Sequence, residues 1–204
     1  RHGMTVVIDD KLPRDLSDMT STLVKVKALK PDLLVVSGHS KGAALSVRQM
    51  DELGVSVNML AMTHCESAKL HDKEKFGNLA DHALCAAQWA PSVTSEGTVF
   101  GTAGNYSTIF DNEYGYVPPY QAAESSAAVI VMADAITRAN SLDKDAVRDA
   151  LAATDLSTFY GQIKFSEAGN NIAKPMILRQ LIDGKYYVVA PANVATDELV
   201  YPRP

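Results

Sequence analysis

The chain is poor in cysteine, tryptophan and net positive charge, and it holds no long apolar run. Each shortage excludes something. Its 19 Lys and Arg stand against 24 Asp and Glu, a net charge of −5. That balance argues against nucleic acid or an anionic membrane surface as partner, since both demand a basic patch. No apolar stretch approaches the roughly 20 residues that a membrane-spanning helix needs. Cys65 and Cys85 lie 20 positions apart, with no C-x-x-C pair and no zinc-type spacing. Two buried thiols are the expected state, and a disulfide is the alternative in an oxidising compartment. His64 beside Cys65 has no matching cluster of ligands at helical spacing, so neither a metal nor another cofactor is expected. Arg1-His2-Gly3 runs straight into TVVID with no secretory leader, which reads as a chain opening in mid-rhythm, as a fragment would. What is present is 204 residues, 47% of them hydrophobic, enough for one sizeable core or two small lobes.

The first ninety residues alternate strand and helix. Thr5–Ile8 reads as a β-branched strand. Leu16, Met19, Leu23, Val26 and Leu29 recur at three- and four-residue steps and predict a helix over 16–29, capped by Asp15 or Ser17. Leu33–Val36 is a continuously apolar strand, as expected where helices cover both faces. A helix follows over 41–53, closed by Gly54. Val57–Met62 and Ala83–Ala87 are further strands, separated by a loop or short helix over 67–79. This rhythm means a parallel sheet with right-handed crossovers.

The pattern changes near Pro91. Residues 92–98 read as a polar linker, followed by helices over 99–113, 120–139 and 144–153. Asp143 caps the last of these, with Leu142 stapled on Val147. The end is β: 161–165, then 176–182 and 185–189 joined at Asp183-Gly184, a two-residue hairpin turn. Residues 192–204 have little to pack. Three segments result: an α/β sheet over 1–91, a helical segment over 92–165, and a terminal hairpin with its tail over 166–204.

Gly38-His39-Ser40-Lys41-Gly42 spells G-x-S-x-G, the nucleophile elbow of serine hydrolases. The rest of that machinery is missing. The five histidines are His2, His39, His64, His71 and His82, so none lies late in the chain. The acids between Ser40 and His64, Asp51 and Glu52, fall on the helix that leaves the elbow. A binding loop fits better than a catalytic serine. In open α/β sheets, ligands bind at the carboxyl ends of strands. Ser37, Gly38, His39 and Ser40 occupy one such end, Thr63 and His64 the next, and Gln88 and Trp89 the one after. The helix starting near Lys41 aims its first amides at the same edge, which favours an anionic group. Each residue also has a plainer role: a cap for Ser40 and Thr63, a solvated loop for His39, core closure beside Pro91 for Trp89.

Four stretches carry a family resemblance: YGYVPPYQAAESSAAVIVMADAI (114–136), NSLDKDAVRDALAATD (140–155), YGQIKFSEAGNN (160–171) and RQLIDGKYYVVAP (179–191). In order and spacing they resemble the second half of the periplasmic branched-chain amino-acid-type (type I) substrate-binding proteins of ABC importers. DLSDMTSTLVKVKALKPDLLVVSG and RQMDELGV resemble the second lobe of the same family. The resemblance implies an α/β fold with a doubly wound parallel sheet. It implies a second lobe, helices that normally belong to the first lobe, a terminal hairpin returning to the second, and a first-lobe sheet missing from this chain. It implies a non-catalytic, periplasmic, solute-binding component that holds a small molecule in a cleft between lobes and delivers it to a membrane permease. A ligand-sensing receptor domain of the same fold is the alternative. The family's second-lobe contacts fall on Gly38, His39, Ser40, Thr63 and His64. Where amino-acid binders often carry an acid to meet the ligand ammonium, this chain has Thr63-His64, with Glu66 two residues on. An aromatic or other organic acid therefore becomes as strong a candidate as an amino acid. Trp89 could stack on its ring, and Tyr116 could form a further wall. The helices over 99–155 carry apolar faces, including Ile130, Ile136, Val147 and Leu151, that call for the missing half or a second copy.

Overall fold

A computed structural model describes residues 3–204. The chain divides into two compact units. One comprises residues 1–86 and 178–204, the other residues 87–177. The first boundary falls five residues before the composition change at Pro91. The second places residues 166–177 with the helical segment instead of with the terminal hairpin.

The first unit is built on a five-stranded sheet. Its strands are β1 (Leu33–Val36), β2 (Met59–Met62), β3 (Leu84–Ala87), β8 (Ile177–Ile182) and β9 (Lys185–Ala190), in that order. β1, β2 and β3 run parallel, with Leu33 opposite Met59 and Ala61 opposite Leu84. The helices are α1 (Thr20–Leu29), α2 (Ser40–Glu52) and the single turn α3 (Lys73–Phe76). Leu23, Val26, Val47, Met50, Leu60 and Met62 meet in one apolar core. Their burial removes from water the face that the helical and strand spacing had set aside. Gly54, at φ +59°, ends α2 in the left-handed conformation that its sequence position predicts.

Several boundaries differ from the sequence reading. Thr5–Ile8 forms no strand: among the described residues no chain pairs with it, and Val6 and Val7 face outward. A β-branched run becomes a strand only where another strand offers hydrogen bonds. α1 begins at Thr20, four residues late, because Asp18 accepts from both the Thr20 amide and hydroxyl. That bond offers the backbone a turn in place of another helical residue. The tail is not loose. Gln180, buried in β8, grips the Val200 backbone through both ends of its amide, and Arg203 donates to Leu79 O at 2.7 Å. Polar residues that look solvent-bound in sequence here fasten the tail to the first unit.

The second unit contains β4 (Glu96–Gly97), β5 (Gly101–Thr102), α4 (Ala103–Tyr114), α5 (Tyr120–Ala139), α6 (Lys144–Ala152), β6 (Asp155–Thr158) and β7 (Gly161–Lys164). β4–β5 and β6–β7 are antiparallel pairs. The helices do not lack a core, contrary to expectation. Trp89, Tyr106, Phe159 and Phe100 interlock, with Tyr106 and Phe159 stacked at 4.0 Å, over Ala123, Ala127 and Ile163. The strand β6 that completes this core went unread because DLST is short and polar. Asp143 caps α6 as predicted, accepting from Asp145 and Ala146. The expected staple is absent, since Leu142 is 84% exposed. Outward faces persist on α4 and α5, where Ile109, Val129 and Met132 are exposed.

Candidate functional site

The site residues of the first unit come from two adjacent parallel strands. β1 ends at Val36 and β2 at Met62, in register, so the loops beyond them emerge side by side. The Thr63 amide still bonds Val36 O at 3.4 Å. Then the Thr63 hydroxyl takes over. The Gly38 N–H donates to it at 3.1 Å, and it lies 3.0 Å from Gly38 O. One threonine thus ties the two loops together through both backbone groups of Gly38.

This tie sets the two imidazoles beside each other. His39 and His64 have ring centroids 5.3 Å apart. His64 Nδ1 lies 3.0 Å from the Thr63 hydroxyl oxygen. A hydroxyl has a single proton. When Thr63 gives it to Gly38 O, His64 donates through Nδ1–H and Nε2 of the neutral ring is an acceptor; when Thr63 gives it to His64 Nδ1, the ring proton sits on Nε2, which is then the donor available to a solute. His39 is the N-cap of α2 and does not cap it with its side chain. The first ladder bond of that helix runs from the Ala43 amide to His39 O at 3.2 Å, so the amides of Ser40 to Gly42 precede it. They carry the positive end of the helix dipole. A Cβ added to Gly38 or Gly42 would meet nothing within 4 Å, so the space over this loop is open.

Ser37, Gly38, His39, Ser40, Thr63 and His64 therefore do gather at one rim. Trp89 does not join them. It is 1% exposed in the core of the second unit, edge-on to Tyr106 and Phe159, and its indole N–H donates to Phe159 O at 3.2 Å. Its faces are spent on core packing, so Trp89 offers no ring to a solute, contrary to the sequence expectation. Tyr116 belongs to the second unit as well, exposed on the α4–α5 turn against Phe110 at 5.3 Å. The G-x-S-x-G motif lacks its base, because His64 is engaged with Thr63 instead of with Ser40.

Immediately beyond His64 the chain is anchored twice. Cys65 and Cys85 form a disulfide, with Cα atoms 5.8 Å apart. The expectation of two thiols is corrected: parallel strands β2 and β3 bring the two positions within bridging reach, a proximity that a separation of 20 positions conceals. Glu66 pairs with Arg179 of β8, whose guanidinium lies over the Tyr186 ring at 4.6 Å. Sequence reading left Arg179 unnoticed, since a lone arginine in a strand gives no signal of a buried partner 113 residues away. Among the described residues no group of three or more ligating side chains could hold a metal ion, and no helix is long and apolar enough to cross a membrane.

A family profile described as periplasmic binding protein matches residues 1–185. The chain belongs to the periplasmic binding protein family. A leucine-binding protein from Thermotoga maritima shares this fold with a TM-score of 0.75 at 22% identity, over 86% of this chain and 49% of that one. An ABC-transporter solute-binding protein from R. palustris, solved in complex with benzoate, has a TM-score of 0.71 at 20% identity, over 96% of this chain and 53% of that one. The Leu/Ile/Val-binding protein homolog 7 of Brucella abortus (strain 2308) is 22% identical over 98% of this chain. The chain spans about half the length of the curated relatives it matches, 51% in that case. The fold is the mixed α/β, parallel-sheet fold of type I periplasmic binding proteins, a family of binding proteins and not of enzymes.

Proposed function

We propose that this chain is the C-terminal portion of a solute-binding component of an ABC importer, and that its rim of His39, Ser40, Thr63 and His64 binds the carboxylate of a small organic acid. The observation that carries this is the Thr63–Gly38 tie, which sets two imidazoles 5.3 Å apart at the start of α2. Imidazole N–H groups and first-turn amides are donors, and donors at a helix N-terminus favour an anion. Glu66, the carboxylate two residues beyond His64, is spent on Arg179. Family membership and the benzoate complex of a relative support a small-molecule ligand. The remainder of the protein, or a second copy of this chain, supplies the opposing wall, and a membrane permease receives the solute. The Cys65–Cys85 bridge fits the periplasm, where disulfides persist.

A thermal-shift and calorimetry panel tests this reading. Benzoate, other aromatic and aliphatic carboxylates, and leucine are added to this chain, and to this chain joined to its preceding half. Carboxylates are expected to stabilise the protein more than the matching amines or amides do. His64→Ala is expected to weaken carboxylate binding about tenfold, as befits a hydrogen bond to a charged group. Equal response to benzoate and benzamide would end the carboxylate reading.

A further inference from the structure

The loop beyond β2 carries four neighbours with different anchors. Thr63 is tied to Gly38, Cys65 to Cys85 of β3, and Glu66 to Arg179 of β8; His64 lies between them. The Glu66–Arg179 pair is unusual in its burial. The side chains are 14% and 5% exposed. It is also incompletely satisfied, since Glu66 Oε2 and Arg179 Nε have no hydrogen-bond partner among the described residues. An arginine on which a buried carboxylate depends this heavily has a second effect: it decides where that negative charge resides.

We propose that Arg179 is a specificity-positioning residue of the solute rim. By holding Glu66 in the buried pair, it keeps a carboxylate out of the space beside Thr63 and His64 and so keeps the rim selective for anions. Glu66 is two residues from His64, about 7 Å along the backbone at most. Once released, its side chain reaches the same opening. A carboxylate there repels an anionic solute and attracts a cationic one. Arg179 thus acts on the solute through Glu66 without touching it. The selectivity part of this inference rests on the carboxylate reading above; the positioning part does not.

Three versions of the chain separate the possibilities: wild type, Arg179→Met, and the charge-free pair Glu66→Gln/Arg179→Met. The probes are benzoate and benzylamine, followed by calorimetry. Arg179→Met is expected to weaken benzoate and to shift the benzoate-to-benzylamine preference by about tenfold or more. The charge-free pair is expected to stay within about threefold of wild type, because it removes the carboxylate along with its keeper. Amide hydrogen exchange gives a readout that needs no solute. The Ala68, Lys69 and Leu70 amides bond to His64 O, Glu66 O and Cys65 O, and so report on the loop. Their exchange should accelerate in Arg179→Met, recover in the charge-free pair, and leave β2 unchanged. A charge-free pair as impaired as Arg179→Met would overturn the proposal, since Arg179 would then be a structural residue only. If Arg179→Met does not fold, the charge-free pair decides: wild-type selectivity and loop exchange support the proposal, and loss of either overturns it. If wild type ignores benzoate, the carboxylate reading falls, while the exchange arm still upholds or rejects the positioning role.

Discussion

At the scale of single residues, the rim depends on side chains whose chemistry is ordinary and whose neighbours are not. Cys65 and Cys85 close a loop of about 20 residues. Replacing both by serine is expected to cost about 3 kcal/mol through the entropy returned to the unfolded chain. At roughly 2–4 °C per kcal/mol for a chain of this size, scanning calorimetry should record a fall in Tm of about 6–12 °C. Reductant should reproduce the fall in wild type; no response to it would mean that the bridge does not form in solution. Lys174 offers a second test. Its ammonium donates to Gln88 O and sits over the Tyr160 ring, 4.3 Å from the centroid. Burial nonetheless lowers its pKa from 10.5 to about 8, with Glu124 opposing the shift. The folded state therefore holds this proton less tightly than the unfolded chain does. Between pH 8 and 10.5 the unfolded chain binds more protons at this site, so the Lys174 contribution makes stability rise with pH across that window. Lys174→Met should flatten that slope in urea titrations, and an unchanged slope would place the titration elsewhere.

At the scale of elements, close approach decides what pattern cannot. β4 is only two residues long, yet its Gly97 cannot change. A Cβ there would stand 2.6 Å from Thr158 Cα and 2.9 Å from Ser157 O, both backbone atoms of β6. Gly97→Ala must push the two hairpins apart and is expected to destabilise by about 2 kcal/mol or more, within the range of overpacked cores. Urea denaturation checks it, and a neutral result would mean that β4 does not lie on β6. The hairpin β8–β9 shows the opposite case, where local chemistry suffices. Asp183 and Gly184 adopt φ +47° and +76°, the two positive values that a type I′ turn needs, and their dipeptide announced it. Strands and helices with a strong period were equally legible: β1 and α5 fall on the predicted residues, and α2 within one residue of them. β6 was not legible, because DLST carries its burial in Thr158 and its pairing in β7 and gives no alternation of its own.

At the scale of the molecule, the sheet is open, with β1 and β9 as its edge strands. Within β1, Val35 is 57% exposed. An apolar parallel strand at an edge is a template for another chain. The isolated chain is expected to associate as concentration rises, measured by light scattering after size exclusion, and Val35→Lys is expected to suppress that association. Identical behaviour of the two proteins would show that the edge is covered in solution.

The amino-acid sequence by itself determined the α/β class, the parallel order of β1, β2 and β3, the Asp143 cap, the Gly54 end of α2 and the hairpin turn, but not the start of α1, where neither Asp15 nor Ser17 is the N-cap. It also placed the two loops that bear His39 and His64, since each of these follows from spacing or from local hydrogen bonding within a few residues. Tertiary structure alone decided the fate of Trp89, the Cys65–Cys85 bridge and the Glu66–Arg179 pair. Whether an indole faces a solute or a phenylalanine, and whether a carboxylate meets a ligand or an arginine 113 positions away, depends on distances in space that the order of residues does not encode locally.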